Sequence, residues 1–148
     1  MKPIIDHIQI TVKDLQAAER FYDQFLPILG FDIQRKVAAT IETHDFQVIE
    51  YTHELLAFAI TSPREAFKDE LINRRKPGAL HHLAFKAETR AEVDLAYQIL
   101  LDMGATIVAA PRLYPEYHAN YYAVFFKDPD NIKFEIVCQA DSVECDVK

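Results

Sequence analysis

The feature that most constrains this chain is that its sequence is written twice. From His7 to Tyr22 is 15 residues (22 − 7) and from His82 to Tyr97 is also 15 (97 − 82); His7 to Gly30 is 23 and His82 to Gly104 is 22. One residue of loop slack accounts for the difference. Strand pattern, helix pattern and glycine recur in the same order, so the repeat predicts two copies of one supersecondary unit.

In the first copy, Ile4 to Val12 alternates as a strand does, and Asp14 caps a helical pattern carrying Leu15, Ala18, Phe21, Tyr22 and Phe25. Strand candidates follow at Phe31–Ala38, Thr40–Tyr51 and Leu55–Thr61. In the second copy, a strand over His81–Ala87 precedes Thr89, an N-cap for a helix carrying Val93, Ala96, Tyr97, Leu100 and Leu101. Strands over Ala105–Ala110, Asn120–Lys127 and Ile132–Gln139 complete it. The expected organisation is a single domain over residues 1–148. It comprises a first βαβββ module over 4–61, a polar linker over 62–78, a second βαβββ module over 79–140 and an acidic tail over 141–148. A helical turn is expected within the linker, at Arg64–Leu71.

Half of the 148 residues are apolar, enough to bury a core without a disulfide or metal as a staple. A formal charge of −7 opposes binding to nucleic acid or an anionic membrane, both of which need a positive footprint. A small polar or thiol-bearing substrate fits better. Cys138 and Cys145 have neither disulfide-framework nor metal-type spacing and read as free thiols in a reducing compartment, so the expected location is the cytoplasm. The N-terminus lacks a signal-peptide pattern, and no apolar run is long enough to span a bilayer.

Successive strand residues point to opposite sides of a sheet, so alternation sorts the polar side chains. Ile8, Ile10 and Val12 form an apolar row to pack on the helix, which leaves His7, Gln9 and Thr11 on the other face. Leu83, Phe85 and Ala87 likewise leave His82 opposite, and Ile132, Phe134, Ile136 and Cys138 leave Glu135 opposite. His7, His82 and Glu135 therefore project from the helix-free side of their modules. Two imidazoles and a carboxylate are a donor set for Fe, Mn, Zn or Ni as divalent ions, with positions left open for substrate. Leu55–Ile60 offers no fourth donor, since Ala57 and Ala59 occupy the corresponding face. Gln9 and Thr11 suit the lining of a site better than a dry core. His81 is the alternative ligand if the register slips by one residue.

The segment Arg112–Tyr122 is dense in aromatic residues. Read as a flap, it offers Tyr117 or His118 as a proton donor or substrate grip and Tyr121 as a substrate contact. Tyr122 reads as part of an aromatic strand edge. The basic run Arg74-Arg75-Lys76 is a solvated linker, or a grip for substrate carboxylates or phosphates.

His7-Ile8 ahead of the Asp14–Tyr22 helix start, His82-Leu83-Ala84-Phe85, and Asp128-Pro129-Asp130-Asn131 leading into Lys133-Phe134-Glu135 together resemble the vicinal oxygen chelate superfamily. That superfamily includes glyoxalases, fosfomycin thiol transferases, epimerases, ring-cleaving dioxygenases and metal-free bleomycin-binding proteins. The resemblance runs from Ile5 to Val137. Asn131 stands where the family usually has glycine, and asparagine tolerates the left-handed conformation that such a turn needs. The resemblance implies an α+β fold of two paired βαβββ modules forming a half-open curved sheet around a central cavity. It implies that His7, His82 and Glu135 hold one divalent metal ion, and that two chains form a homodimer.

The expected function is thus that of a divalent-metal-dependent, glyoxalase-like enzyme whose metal chelates oxygens of a small substrate, with lyase, isomerase or thiol-transferase chemistry and a thiol conjugate among the candidate substrates. The alternatives are an extradiol-type dioxygenase and a metal-free binder of small molecules. The missing fourth donor sets the chain apart from the four-ligand pattern of glyoxalase I. The usual length of dioxygenases, about twice this one, counts against ring cleavage.

Overall fold

The structure is a computed structural model that describes residues 4–71 and 73–140; the tail expected over 141–148, with Cys145, lies outside the described residues. The chain separates into two compact units, Met1–Leu71 and Ile72–Lys148, and the break falls inside the expected linker.

The first unit runs β1 (His7–Thr11), α1 (Leu15–Phe25), β2 (Val37–Ile41), β3 (Phe46–Thr52) and β4 (Ala57–Thr61). Its sheet has the order β1-β4-β3-β2, with β1 and β4 parallel and the other pairs antiparallel. Asp14 starts α1 by accepting a hydrogen bond from the Ala17 N–H at 2.9 Å. Ala18, Phe21, Tyr22 and Phe25 are its buried stripe. Tyr22 and Phe58 on β4 bring their rings to 5.2 Å. Gly30 ends the helical region at φ +88, where a Cβ would meet the His53 ring at 3.2 Å.

The strand expected over Phe31–Ala38 is corrected. Asp32 accepts from the Gln34 N–H at 3.0 Å and caps a short 3-10 turn, Ile33–Arg35, so pairing begins only at Val37. Lys36, just before β2, donates to Glu19 and Asp23 on α1, both at 2.6 Å, while the Tyr51 hydroxyl donates to Asp23 at 2.9 Å. Burial alone would lower the Lys36 pKa, but the hydrogen bonds to Asp23 and Glu19 outweigh it and the ammonium titrates above its ordinary value. The expected strand over Thr40–Tyr51 is likewise two strands, parted by a turn at Glu42–His44 and Asp45 at φ +57. Among the described residues of the linker, helical structure is confined to a 3-10 turn at Glu65–Phe67.

The second unit repeats the order with β5 (Leu83–Lys86), α2 (Arg90–Asp102), β6 (Thr106–Leu113), β7 (Tyr122–Lys127) and β8 (Lys133–Cys138). Its sheet order is β5-β8-β7-β6, again with the first pair parallel. Thr89 and Glu92 form a reciprocal capping box, and Val93, Ala96 and Leu100 are buried. Pro111 is accommodated in β6 because that strand is an edge and its ladder is already irregular between Ala109 and Arg112. The expected strand start at His81 moves to Leu83, whose partner is Phe134; β8 begins at Lys133, so the ladder ends there. The Cys138 thiol is buried and donates to the Glu88 carbonyl at 3.5 Å.

β7 and β8 are buried on both faces. The Tyr122 hydroxyl donates to Asp94 on α2 at 2.7 Å, which marks the face of Tyr122, Val124 and Phe126 as the helix side. On the other face, Ala123, Phe125 and Val137 pack with Tyr114. Glu135, paired with Ala84 and Phe125, belongs to that second face.

Candidate functional site

Glu135 is a carboxylate only 1 % exposed on a strand whose other buried residues are Phe134, Ile136, Val137 and Cys138. Such a group is tolerated only if its oxygens are engaged. The turn before β8 aims it. Asp128, itself buried, accepts from the backbone N–H of Asp130 at 3.0 Å and of Ile132 at 2.8 Å, and Asn131 takes the left-handed φ of +66. The left-handed conformation expected of Asn131 is observed.

One oxygen of Glu135 accepts a hydrogen bond from the Tyr121 hydroxyl. Burial first, then this bond to an anionic acceptor, raises the Tyr121 pKa far above the phenol range and keeps its proton in place. The Tyr121 ring is itself held edge-on by Tyr117, with centroids 5.4 Å apart. Tyr121, expected to touch substrate, thus positions Glu135.

The second oxygen of Glu135 faces His82 Nε2 at 3.7 Å. That separation exceeds a hydrogen bond yet lies within the reach of two bonds of about 2 Å to one cation. His82 Nδ1 lies 2.7 Å from His81 Nδ1, and His81 Nε2 lies 2.7 Å from Arg74 Nη1. A guanidinium only donates, so His81 Nε2 accepts, its Nδ1–H donates to His82 Nδ1, and the remaining His82 proton sits on Nε2 facing Glu135. Partial desolvation, then the charges of Arg74 and His82, hold the His81 pKa below its ordinary value. Lys133, two residues from Glu135 on the same face, has its ammonium 3.9 Å from the Phe125 ring centroid. Its pKa is lowered by burial and by Arg74, against the pull of Glu135.

His7 is described within the first unit, on β1 opposite Ala57, with Nδ1 2.8 Å from Asp6 Oδ2. Among the described residues, no three His, Cys, Asp or Glu side chains converge on one point; His82 and Glu135 are brought together as a pair. The first unit's helix-free face carries His7, Gln9 and Thr11, as expected, beside Ala57, Ala59 and Thr61. Tyr117 is 65 % exposed at the rim of the tyrosine group. His118 accepts from the Asn120 N–H at 3.4 Å and stabilises its own loop, with no described contact to Glu135 or His82.

The roles of four residues escaped the reading of the sequence. Arg74 and His81 act through side-chain contacts across a linker that has no periodicity to read. Lys133 alternates onto the face of Glu135, with nothing in the pattern to mark a role for its charge. Glu50 on β3 pairs with Ala59, which pairs in turn with Gln9, so Glu50 shares the face of His7 one strand beyond the position that lacks a donor.

The family model of the Glyoxalase/Bleomycin resistance protein/Dioxygenase superfamily matches residues 4–136. The chain belongs to this superfamily, the vicinal oxygen chelate proteins. It is 32 % identical over 131 residues to uncharacterized protein YqjT of Bacillus subtilis strain 168, covering 88 % of this chain and 95 % of that one. Among solved structures, a candidate glyoxalase from Bacillus halodurans superposes with a TM-score of 0.73 at 29 % identity, covering 93 % of this chain and 96 % of the other. The genomically encoded fosfomycin resistance protein FosX of Listeria monocytogenes superposes with a TM-score of 0.65 at 19 % identity, over 97 % and 98 % of the two chains, a likeness of fold alone. Proteins of this superfamily bind small molecules, commonly use a divalent metal and often form dimers. Membership supports a glyoxalase-like or related enzymatic or resistance function. No helix of the described residues is long and apolar enough to cross a membrane.

Proposed function

We propose that this protein is a divalent-metal-dependent enzyme of the glyoxalase type, acting on a small substrate through two of its oxygens by lyase, isomerase or thiol-transferase chemistry. The observation that carries the reading is the buried Glu135 carboxylate facing His82 Nε2 at 3.7 Å, a pair of donors too far apart to satisfy each other and near enough to share one cation. His82 and Glu135 are two of the ligands and His7 is the third. When bound, the cation supplies Lewis acidity toward a substrate oxygen.

The chain's own residues do the rest. Tyr121 fixes the carboxylate plane of Glu135, and His81 fixes the rotation of the His82 ring through Nδ1, so that the Nε2 proton is what a bound cation would displace. The Phe125 and Tyr114 side chains keep water from the buried side of Glu135. Tyr117, exposed beside Tyr121, is placed to hold or move a proton at its hydroxyl, and His118 is a second candidate for that role. Gln9 and Thr11 contact substrate. The protein works as a cytoplasmic homodimer.

Metal-free binding of a small molecule is the second reading, supported by the Tyr121 hydroxyl, which by itself satisfies one oxygen of Glu135. Metal analysis of protein purified without chelator separates the two. The first reading expects about one equivalent of a first-row divalent ion, lost in His82→Ala and in Glu135→Ala. Absence of metal after incubation with Zn, Ni, Mn and Fe, or metal content in either variant unchanged from that of the unsubstituted protein, overturns it. Isomerisation of a hemithioacetal under Ni or Zn, measured beside oxygen uptake with catechols under Fe, then divides lyase or isomerase from dioxygenase.

A further inference from the structure

The first unit contains a concavity of about 370 Å³ on the side of β1 from which Gln9 and Thr11 project, within the range of small-ligand sites. Its lining runs against the composition of the chain. Acidic residues outnumber basic ones, 23 to 16, yet no carboxylate lines it, and its titratable groups are Arg64 and His44. Among the described residues, no hydrogen bond or ion pair occupies the Arg64 guanidinium, so its planar fork of donors is available to a carboxylate in bidentate geometry. Two aromatic residues supply apolar walls. Phe46 is backed by the near-parallel His44 ring at 6.4 Å, and Phe67 stands 56 % exposed at the rim.

The floor is rigid and polar. Thr61 is buried and donates to the Ile10 carbonyl at 3.3 Å, which leaves its oxygen to accept from the Thr11 hydroxyl at 3.2 Å. With that proton committed, the Thr11 oxygen faces the cavity as an acceptor, and the Gln9 amide beside it offers both polarities.

From these complementary parts we infer that the first unit holds a binding site for an aromatic carboxylic acid. Its carboxylate pairs with Arg64, its ring lies against Phe46 and Phe67, and a hydroxyl or amino substituent reaches Thr11 and Gln9. A single guanidinium with no second fixed cation matches one negative charge, which selects a carboxylate over inorganic phosphate. The assignment shares Gln9 and Thr11 with the substrate contacts proposed above but goes beyond that reading, because it is carried by Arg64, Phe46 and Phe67, which the metal site does not use.

The test is titration of the full chain, in chelator, with naphthalene-2-carboxylate, its carboxamide and inorganic phosphate, followed by amide NMR and calorimetry. The carboxylate should bind at about one equivalent and shift the amides of Thr11, Thr61 and Arg64. The carboxamide should bind at least tenfold more weakly, and phosphate should leave the spectrum unchanged. Arg64→Gln should lose tenfold or more in carboxylate affinity, Arg64→Lys should retain part of it, and Phe67→Ala should lose severalfold. The spectra of the free variants report that the fold is retained. Equal affinity for acid and amide, affinity indifferent to Arg64→Gln, or shifts confined to the second unit would overturn the assignment. Because the measurement is made without metal, its failure leaves the metal stoichiometry of His82 and Glu135 untouched, and failure of the metal reading leaves this binding in place.

Discussion

Tyr121→Phe is the most direct probe of how this fold tolerates a buried carboxylate. The substitution removes one oxygen atom and keeps the ring edge-on to Tyr117 and Tyr114. Glu135, 1 % exposed, then has one oxygen with neither protein donor nor water. A hydrogen bond to a charged group contributes roughly 1.5–3 kcal/mol, and stranding the acceptor in the interior places the loss in that range. We expect about 2 kcal/mol, close to a 30-fold change in the folding equilibrium. With a urea slope of about 2 kcal/mol per molar, the midpoint should fall by about 1 M. Unfolding is followed by circular dichroism in chelator, so that metal binding does not contribute through mass action. In a Glu135→Gln background the acceptor is neutral and the same substitution should cost only about 1 kcal/mol, a coupling of about 1 kcal/mol in the double-mutant cycle. A cost below about 0.5 kcal/mol, or equal costs in the two backgrounds, would refute the argument that Tyr121 holds the Glu135 charge.

Three further outcomes are expected. Removal from water, then the hydrogen bond and charge of Asp94, raise the Tyr122 pKa from 10 to about 12, against the opposing charge of Arg90. Its contribution is whole below pH 10 and is lost as pH rises toward and through 12, so alkaline stability curves should fall less steeply in Tyr122→Phe. Asp128→Ala leaves the N–H groups of Asp130 and Ile132 without their acceptor and should cost on the order of 2–3 kcal/mol in urea unfolding; Asp128→Asn, which keeps the oxygen, should recover more than half. Arg74→Ala should tighten zinc binding severalfold by calorimetry. It removes both a nearby positive charge and the donor that directs the His82 proton onto Nε2, and unchanged or weaker binding would contradict that proton assignment.

The alternation of β1 and β8 was legible because a strand's period of two has only one register compatible with an apolar face on a helix. Ile10 and Val12 are buried while His7 and Gln9 are not, and Phe134 and Ile136 pair with Phe126 and Val124 on the helix side, which leaves Glu135 opposite. The caps Asp14 and Thr89 were legible because they act over three residues. Phe31–Ala38 was misread for a related reason. Its apolar residues match a strand, but Asp32 bonds to its own backbone two residues on, a competition that hydrophobic pattern does not record. His82 lies outside β5 yet still faces Glu135, held by His81 rather than by the ladder.

By itself, then, the sequence determined the duplication, the βαβββ order of each unit, the helix caps, the left-handed Asn131 and the faces of His7 and Glu135. These follow from local periodicity and short-range backbone chemistry, which a linear pattern carries. Only the tertiary structure decided that Tyr121 serves the carboxylate, that Arg74 and His81 stand behind His82, that Glu50 shares the face of His7 across β4, and that Arg64 closes a cavity over Thr11. Most of these join segments distant along the chain, and the Arg74–His81–His82 chain, though local, depends on side-chain geometry rather than periodicity. Strand order and side-chain reach set them, and no spacing in the sequence encodes them.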